Sequence, residues 1–206
     1  MGGGAEPTVA IVILAAGRSS RMGSSGCHKL LAEFDGMPLV RRSAYTALAC
    51  QSHSVIVVTG FRDADIRNAI AGLGVQTAHN GDYRSGIASS IGRGVKAAAR
   101  GEPDGIMVML ADMPALDVAA LDCLIGEFRK ARGPAIVRAV ARGIPGNPVI
   151  FPRVEYERLC ALGGDEGARK LIAASQLPVI DVEIGEGAAI DVDTPDQILA
   201  AGGIIA

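Results

Sequence analysis

The stretch Val9–Lys29, VAIVILAAGRSSRMGSSGCHK, decides the fold. It begins with a continuous apolar run, Val9–Leu14, and passes directly into a loop of small residues that carries Arg18, Arg21 and Lys29. An uninterrupted apolar run is typical of a strand buried on both faces of a parallel sheet. The small residues let an anionic ligand approach the backbone, and the cations can neutralise its charge. The alternative is a surface loop with solvated arginines.

Apolar runs and helical patterns alternate along the next hundred residues. Further strands are predicted at Ser54–Thr59, Val75–Ala78, Gly105–Leu110 and Ala135–Val140. Helices are predicted at Leu39–Cys50, Asp63–Ala71, Ala88–Arg100 and Val118–Ala131. This alternation predicts βαβ units and an α/β fold: a mostly parallel sheet with helices on both faces.

The last third of the chain has a different pattern. Proline-flanked Asn147–Pro152 predicts a short antiparallel insertion at a sheet edge. Two short helices are predicted near Arg153–Ala161 and Asp165–Ala174, followed by a strand that ends at Asp181. The segment Thr194–Gln197 carries a helix capping box with proline at the first helical position.

Composition limits the class of protein. With 206 residues, 49% of them apolar, we expect one domain over residues 1–206, with residues 1–7 as a disordered tail. The net charge of −2 argues against a general nucleic-acid binder. The sequence contains no apolar run long enough for a membrane span, and its start lacks a signal peptide, so we expect a cytoplasmic protein.

Cysteine and histidine are scattered. The cysteines are Cys27, Cys50, Cys123 and Cys160, and the histidines are His28, His53 and His79. Because no C-x-x-C pair occurs, the cysteines are predicted to be free thiols and a metal cage of His and Cys is not expected. His28 is predicted only to fill the loop beside Lys29.

Carboxylates stand where ligands bind in such sheets, beyond the carboxyl ends of the strands. Asp112 follows the predicted strand Gly105–Leu110, and a lone carboxylate there is well placed to hold Mg²⁺. The alternative is a turn aspartate bonded to a backbone amide. Asp191 and Asp193 fall on the same side if their stretch is extended, so one can complete the metal site while the other, or Thr194, caps the last helix.

The segment Gly163–Arg169 offers a second place for an anion. Its sequence opens a predicted helix, whose free backbone amides favour negative charge, and Arg169 lies within reach. The alternative is an ordinary helix start with Asp165 as its cap.

Six short blocks occur in a fixed order. They are LAAGRSSRMG with HKLL (14–31), YRSGIASSI (83–91), LADMP (110–114), GNPVIFPR (146–153), GGDEGARKLI (163–172) and IDVDTP (190–195). Together they resemble the molybdopterin cytidylyltransferase branch of the MobA-like nucleotidyltransferases, from Val9 to about Leu199. The resemblance implies a Rossmann-like nucleotidyltransferase fold, in agreement with the strand and helix pattern.

The resemblance also implies an activity, the transfer of CMP from CTP to the phosphate of molybdopterin cofactor with release of pyrophosphate. Matched residue by residue, the nucleotide would be held by Leu14, Ala15, Ala16, Gly17, Arg18, Lys29, Gly86, Ser90 and Asp112. Catalysis would fall to Arg18, Lys29 and Asp112, and Mg²⁺ to Asp112 and Asp191. Asn147 and Arg169 are the candidates for contacting the acceptor. A transient contact with a molybdoenzyme or its chaperone is expected.

The chemistry would depend on charge. The acceptor phosphate is already a nucleophile, so the reaction needs positioning and charge neutralisation and requires no general base. Arg18 and Lys29 would stabilise the leaving pyrophosphate. Guanylyl-transferring relatives carry glycine where Ala16 stands, and the extra methyl group predicts CTP over GTP.

Several alternatives stay open. The sequence departs from the family pattern in the inserted residues 23–27, in Tyr83 where tryptophan is common, and in Asn147 where histidine is common. A related transferase could use GTP or a sugar phosphate, a family oxidoreductase could act on a heterocycle, and a noncatalytic chaperone could bind molybdenum cofactor. Lys29 and Asp112 argue against pure binding, and no flavin or nicotinamide fingerprint occurs in the sequence.

Overall fold

The computed structural model describes residues 6–20, 22, 28–131, 133–165 and 167–205. Its strands are β1 (Val9–Ala15), β2 (Glu33–Phe34), β3 (Met37–Pro38), β4 (Ser54–Thr59), β5 (Gln76–His79), β6 (Gly105–Leu110), β7 (Ile136–Ala141), β8 (Ile144–Pro152) and β9 (Val179–Glu183). Its α-helices are α1 (Leu39–Ala49), α2 (Asp63–Ala69), α3 (Ile87–Ala98), α4 (Val118–Lys130), α5 (Tyr156–Cys160), α6 (Ala168–Ala174) and α7 (Pro195–Ala200). Short 3₁₀ turns include Lys29–Leu31 and Tyr83–Ser85.

The main sheet has seven strands in the order β5-β4-β1-β6-β8-β7-β9. The first four of these run parallel to one another, with β1 between β4 and β6. Ile11 and Ile13 of β1 face one side of the sheet while Ala10 and Val12 face the other, and all four are fully buried. Burial on both faces explains why the sequence of β1 is continuously apolar.

Helices cover both faces of the sheet, as predicted. Helices α1, α2 and α4 contribute side chains to the apolar cluster on one face, and α3, α5 and α6 contribute to the cluster on the other. The close approach of α3 to β1 depends on Gly94, because a Cβ there would lie 2.2 Å from Val12 Cγ1. The α/β fold expected from the sequence, a mostly parallel sheet with helices on both faces, is therefore present.

The prediction that Asn147–Pro152 forms an edge insertion is wrong in its place. Strand β8 is antiparallel to both neighbours, but it lies inside the sheet between β6 and β7. Pro148 is tolerated there because the ladder with β7 is interrupted between the Arg138–Val149 and Val140–Pro145 pairs. Only Val149–Pro152 of β8 pair with β6. Pro145 and Pro148, which have no backbone N–H, therefore interrupt no hydrogen bond to β6.

Two other expectations for the C-terminal part have different outcomes. Helix α6 begins at Ala168, its N-cap is Gly167, and no side chain caps it, so the prediction of Asp165 as the cap is wrong. The capping box at α7 is confirmed, because Thr194 Oγ1 accepts from the Gln197 amide and the Gln197 side chain accepts from the Thr194 amide.

The small antiparallel hairpin of β2 and β3 was not predicted from the sequence. Its Phe34 joins Ala32 and Ile198 of α7 in a third cluster, separate from the two clusters on the main sheet. This cluster ties the C-terminal segment to the residues that follow Lys29.

The predicted tail, residues 1–7, extends into the described part of the chain. Residues 1–5 lie outside it, and the Pro7 carbonyl accepts a hydrogen bond of 3.2 Å from Arg129 Nε. Within the described ranges, every helix is too short or too polar to cross a membrane.

Candidate active site

A cleft opens at the carboxyl ends of β1 and β6. The loop of residues 16–20 that follows β1 is called the glycine loop, and the cleft beside it the glycine-loop cleft. Its volume is about 340 Å³. Eight of the nine predicted nucleotide-binding residues line it: Leu14, Ala16, Gly17, Arg18, Lys29, Gly86, Ser90 and Asp112. The structure thus brings together residues from three separate sequence blocks.

Ala15 is the exception, because its side chain is fully buried in the core cluster on the opposite face of the sheet. Only its backbone is available to a ligand. Ala16 is 2% exposed, and a Cβ placed on Gly60 would lie 2.8 Å from its methyl carbon. Gly17 differs from both, since a Cβ there would meet nothing within 4 Å. The open space at Gly17 lets a ligand approach the loop backbone.

Lys29 sits between two carboxylates. Its Nζ donates to Asp112 Oδ2 and, at 2.6 Å, to Asp193 Oδ1. Burial by itself lowers the pKa of Lys29, but the attraction and hydrogen bonds of Asp112 and Asp193 outweigh it and hold the pKa above the usual range. The ammonium group therefore remains charged inside the cleft.

Asp112 has one oxygen left over. Its Oδ1 is buried and has no hydrogen-bond partner among the described residues. Burial raises the pKa of Asp112, Lys29 opposes that rise, and the charge of nearby Asp191 adds to it. An orphaned carboxylate oxygen beside a second carboxylate fits Mg²⁺, which takes one or two protein oxygens and fills its other positions with water and phosphate. The described residues contain no cluster of three or more metal-ligating side chains.

The sequence left two roles open for the IDVDTP segment, and the structure separates them. Thr194 caps α7, whereas the Asp193 carboxylate accepts from Lys29. The Val192 amide donates to the Asp112 carbonyl at 3.0 Å, which brings Asp191 close to Asp112. The side chain of Asp191 itself is exposed and does not line the glycine-loop cleft.

The start of α3 forms the wall opposite the loop. Gly86 is its N-cap with a φ of 108°, and a Cβ there would lie 2.1 Å from the Gly164 carbonyl oxygen. That carbonyl accepts from the Ala88 amide at 3.2 Å, so residues around 164 pack directly on the helix start. Ser90 is buried behind it and accepts from Asn80 Nδ2 at 3.0 Å.

Arg84, which was not predicted from the sequence, is a further cation that lines the cleft. Its guanidinium carbon lies 5.8 Å from the centre of the Tyr83 ring. The signal was present, because Arg84 stands inside the quoted block YRSGIASSI, two residues before Gly86. Arg21, the third cation of the opening stretch, lies outside the described residues.

A second cavity, the β8 cavity, adjoins the glycine-loop cleft. Its volume is about 210 Å³, and it shares Leu14, Ile87 and Leu110 with the cleft. Both predicted acceptor residues, Asn147 and Arg169, line it. The rest of the lining is mostly apolar: Ile91, Val108, Pro145, Gly146, Val149, Phe151, Gly167, Ala168 and Ile172. Arg138 also lines it, which the sequence analysis missed; its side chain makes a two-pronged ion pair with Asp181 at 2.8 and 3.0 Å.

His28 has a larger part in the structure than loop filling. It is 3% exposed, and both of its ring nitrogens make hydrogen bonds to the backbone around the cleft. The cysteines agree with the prediction where they are described. Cys50, Cys123 and Cys160 are free thiols, and Cys27 lies outside the described residues.

Known proteins resemble this chain over almost its full length. The Purine catabolism protein PucB of Bacillus subtilis (strain 168) is 29% identical over 202 residues, which cover 93% of this chain and 95% of PucB. The crystal structure of an Rv0371c homologue from mycobacterium sp. strain JC1 is 25% identical, covers 93% of each chain and has a TM-score of 0.79. The nucleotidyl transferase Mth528 from Methanothermobacter thermautotroptrophicus is 24% identical, covers 94% of this chain and 95% of its own, and has a TM-score of 0.78.

A family model covers the same region. The model of the MobA-like NTP transferase domain matches residues 11–179, which include the glycine loop, Lys29, Asp112 and both acceptor candidates. This match agrees with the fold and with the residues that meet in the cleft. The chain belongs to the family of MobA-like NTP transferase domains, and it has the nucleotidyltransferase fold.

Proposed function

We propose that this protein transfers CMP from CTP to the phosphate group of molybdopterin cofactor, releases pyrophosphate, and passes its product to a molybdoenzyme or its chaperone. One observation carries the proposal: a cleft lined by Arg18, Lys29 and Arg84 meets a second cavity, which both predicted acceptor residues line, along Leu14, Ile87 and Leu110. A reaction that joins a nucleotide to a heterocyclic acceptor needs two such sites side by side.

The glycine-loop cleft would hold the triphosphate. Gly17 leaves its backbone open, Arg18 and Arg84 line the same cleft, and Lys29 carries a buried positive charge. An oxygen of the acceptor phosphate attacks the α-phosphorus of CTP, and the bond from that phosphorus to the bridging oxygen breaks. The cations then stabilise the charge that collects on pyrophosphate.

A divalent metal ion fits the carboxylate of Asp112 in this cleft, with Asp191 close beside it. Asp112 would hold it through its unpartnered Oδ1, with Asp191 as the second carboxylate. Such an ion neutralises the charge of the phosphates in the transition state. Asp193 would still hold Lys29 if Asp112 bound the metal ion, because it accepts from Lys29 Nζ.

The β8 cavity favours a flat heterocycle over a sugar as the acceptor. Its wall is aliphatic and aromatic, with Arg138, Asn147 and Arg169 as its polar side chains. The hydroxyl groups of a sugar would lose water there without gaining enough partners, which is costly. A pterin ring buries its faces against apolar side chains and leaves its phosphate toward the cleft.

Pyrophosphate release tests the proposal directly. The protein is mixed with CTP or GTP, a divalent metal, and each of three acceptors: molybdopterin cofactor, a sugar 1-phosphate, or none. Among these nucleotide–acceptor pairs, only CTP with molybdopterin cofactor is expected to release pyrophosphate. Release with GTP or with the sugar phosphate would replace the proposed substrate, and no release with any pair would contradict a transferase.

A further inference from the structure

His28 lies between the glycine loop and the turn that carries Lys29, and no role in the reaction has been given to it. Its side chain is buried. The Nε2 atom lies 3.1 Å from the Gly17 carbonyl oxygen, and Nδ1 accepts a hydrogen bond of 3.4 Å from the Leu30 amide. One imidazole ring therefore links two backbone segments eleven or more residues apart in sequence.

These two contacts fix the proton on the ring. A carbonyl oxygen can only accept, so Nε2 must carry the hydrogen, and the amide of Leu30 can only donate, so Nδ1 must be bare. His28 is thus the neutral Nε2–H tautomer. A second proton on Nδ1 would point at the Leu30 amide and break the cap of the Lys29–Leu31 turn.

The surroundings of the ring support the same form. Phe61 stacks on it, with ring centres 5.8 Å apart and an interplanar angle of 27°. Burial lowers the pKa of His28, the contact with the Gly17 carbonyl opposes that shift, and the charges of Arg62 and Lys29 add to the lowering. Phe61 is itself tied to the loop, since its amide donates to the Ala16 carbonyl at 3.1 Å.

We infer that His28 is a positioning residue that sets the glycine loop and the Lys29 turn at a fixed spacing for the triphosphate. Without it, the Gly17 carbonyl loses its donor and the loop can rotate away from the ammonium group that must share the phosphate chain. The inference rests on the proposed nucleotide site and adds to it a residue outside the cleft lining.

Two substitutions separate the two hydrogen bonds. His28→Asn keeps an oxygen near the position of Nδ1, so it still caps the turn, but it cannot reach Gly17. His28→Gln places an amide nitrogen near the position of Nε2, so it still donates to Gly17 but gives up the cap. The exposed His53, in the turn before β4 and far from the cleft, supplies the control His53→Asn.

The readout is the Kd of CTP and of GTP, measured by calorimetry with no acceptor present and with thermal melting as a check on folding. His28→Asn is expected to bind the preferred nucleotide about fivefold to tenfold more weakly, the worth of one lost hydrogen bond. His28→Gln and His53→Asn are expected to stay within about twofold of wild type.

The outcomes separate this inference from the proposed function. Wild-type affinity in His28→Asn, or an equal loss in His28→Gln, would overturn the positioning role while leaving the transferase intact. If His28→Asn does not fold, the Kd of the nucleotide for His28→Gln is the test. A loss of affinity in His28→Gln would overturn the inference, and wild-type affinity would support it. A wild-type protein that binds neither nucleotide would overturn the transferase proposal and this inference with it.

Discussion

The glycine-loop cleft and the β8 cavity share one wall but are built from different kinds of structure. The cleft lies at the ends of parallel strands, and Arg18, Arg84 and the ion pair of Lys29 with Asp112 line it. The β8 cavity lies against the antiparallel strand β8, and apolar side chains dominate it. We therefore expect charged side chains to determine nucleotide binding and catalysis in the glycine-loop cleft. In the β8 cavity we expect shape and burial to determine which acceptor binds.

The largest effect is expected at Asp112. Asp112→Asn should lower kcat/KM by about a hundredfold to a thousandfold, because the metal ion proposed to neutralise the reacting phosphates would lose a carboxylate ligand. The thermal midpoint should stay close to wild type, since burial already disfavours the charged carboxylate. The control is Asp35→Asn, because Asp35 is exposed and asparagine suits its positive φ of 52°. Full activity in Asp112→Asn would remove the carboxylate from the reaction.

The next effect concerns Lys29. Lys29→Met should weaken nucleotide binding about tenfold to a hundredfold, the range for a hydrogen bond to a charged group. The substitution also leaves the Asp112 and Asp193 carboxylates without their shared ammonium group. The Kd of CTP, measured by calorimetry, gives the effect. Unchanged affinity for CTP would show that Lys29 interacts with Asp112 and Asp193 only and does not bind the nucleotide.

Gly86 tests how closely the backbone around residue 164 packs against the start of α3. Gly86→Ala should destabilise the protein by about 2–4 kcal/mol, because it combines positive-φ strain with a clash against the Gly164 backbone. Urea denaturation measures the effect. Gly92→Ala in the same helix is the control, since its Cβ would lie 3.6 Å from Cys160, at ordinary contact distance. Equal stability in both variants would contradict the packing argument.

Arg169 tests the acceptor side alone. Arg169→Gln should raise the KM of the acceptor about tenfold and leave the Kd of CTP unchanged, because it lines the β8 cavity and not the glycine-loop cleft. Lys170→Gln, one position along the same helix and outside that lining, is the matched control. A change in nucleotide affinity of similar size would mean that the two cavities are one site.

The smallest effect is expected at Ala16. Its methyl group packs toward Gly60, so Ala16→Gly should change the ratio of CTP to GTP affinity by less than about tenfold and should not invert it. Competition binding of the two nucleotides gives the ratio. An unchanged ratio would assign Ala16 to packing and place base selection in other residues.

The parallel half of the fold could be predicted because its central strands, β1, β4 and β6, are buried on both faces. That burial gives continuous apolar runs, so β4 and β6 match the predicted bounds and β1 is longer by one residue. The prolines of β8 misled the prediction toward an edge, since their tolerance depends on an interruption of the ladder with β7. A two-residue strand such as β2 leaves no periodicity to detect.

The candidate site could be predicted at residues whose side-chain type and place in the sequence favour a single chemical role. Asp112 and Lys29 were found this way, and they meet in the cleft. The pairing of Lys29 with Asp193 could not be predicted, because the two residues are 164 positions apart and a capping role fitted the same sequence. His28 was missed for a similar reason, since its value depends on a contact with Gly17 that no local pattern shows.

Strand β8 also bears on how such an enzyme can change over evolution. It joins the parallel strands through one ladder of four residue pairs, Gly105–Pro152 to Val108–Val149, and the strands beyond it in the sheet are β7 and β9. Substitutions within the strands β7, β8 and β9 can therefore reshape the β8 cavity without touching Asp112 or the glycine loop. A duplicated gene could acquire a new acceptor by drift in those three strands alone, while its nucleotide chemistry is inherited intact.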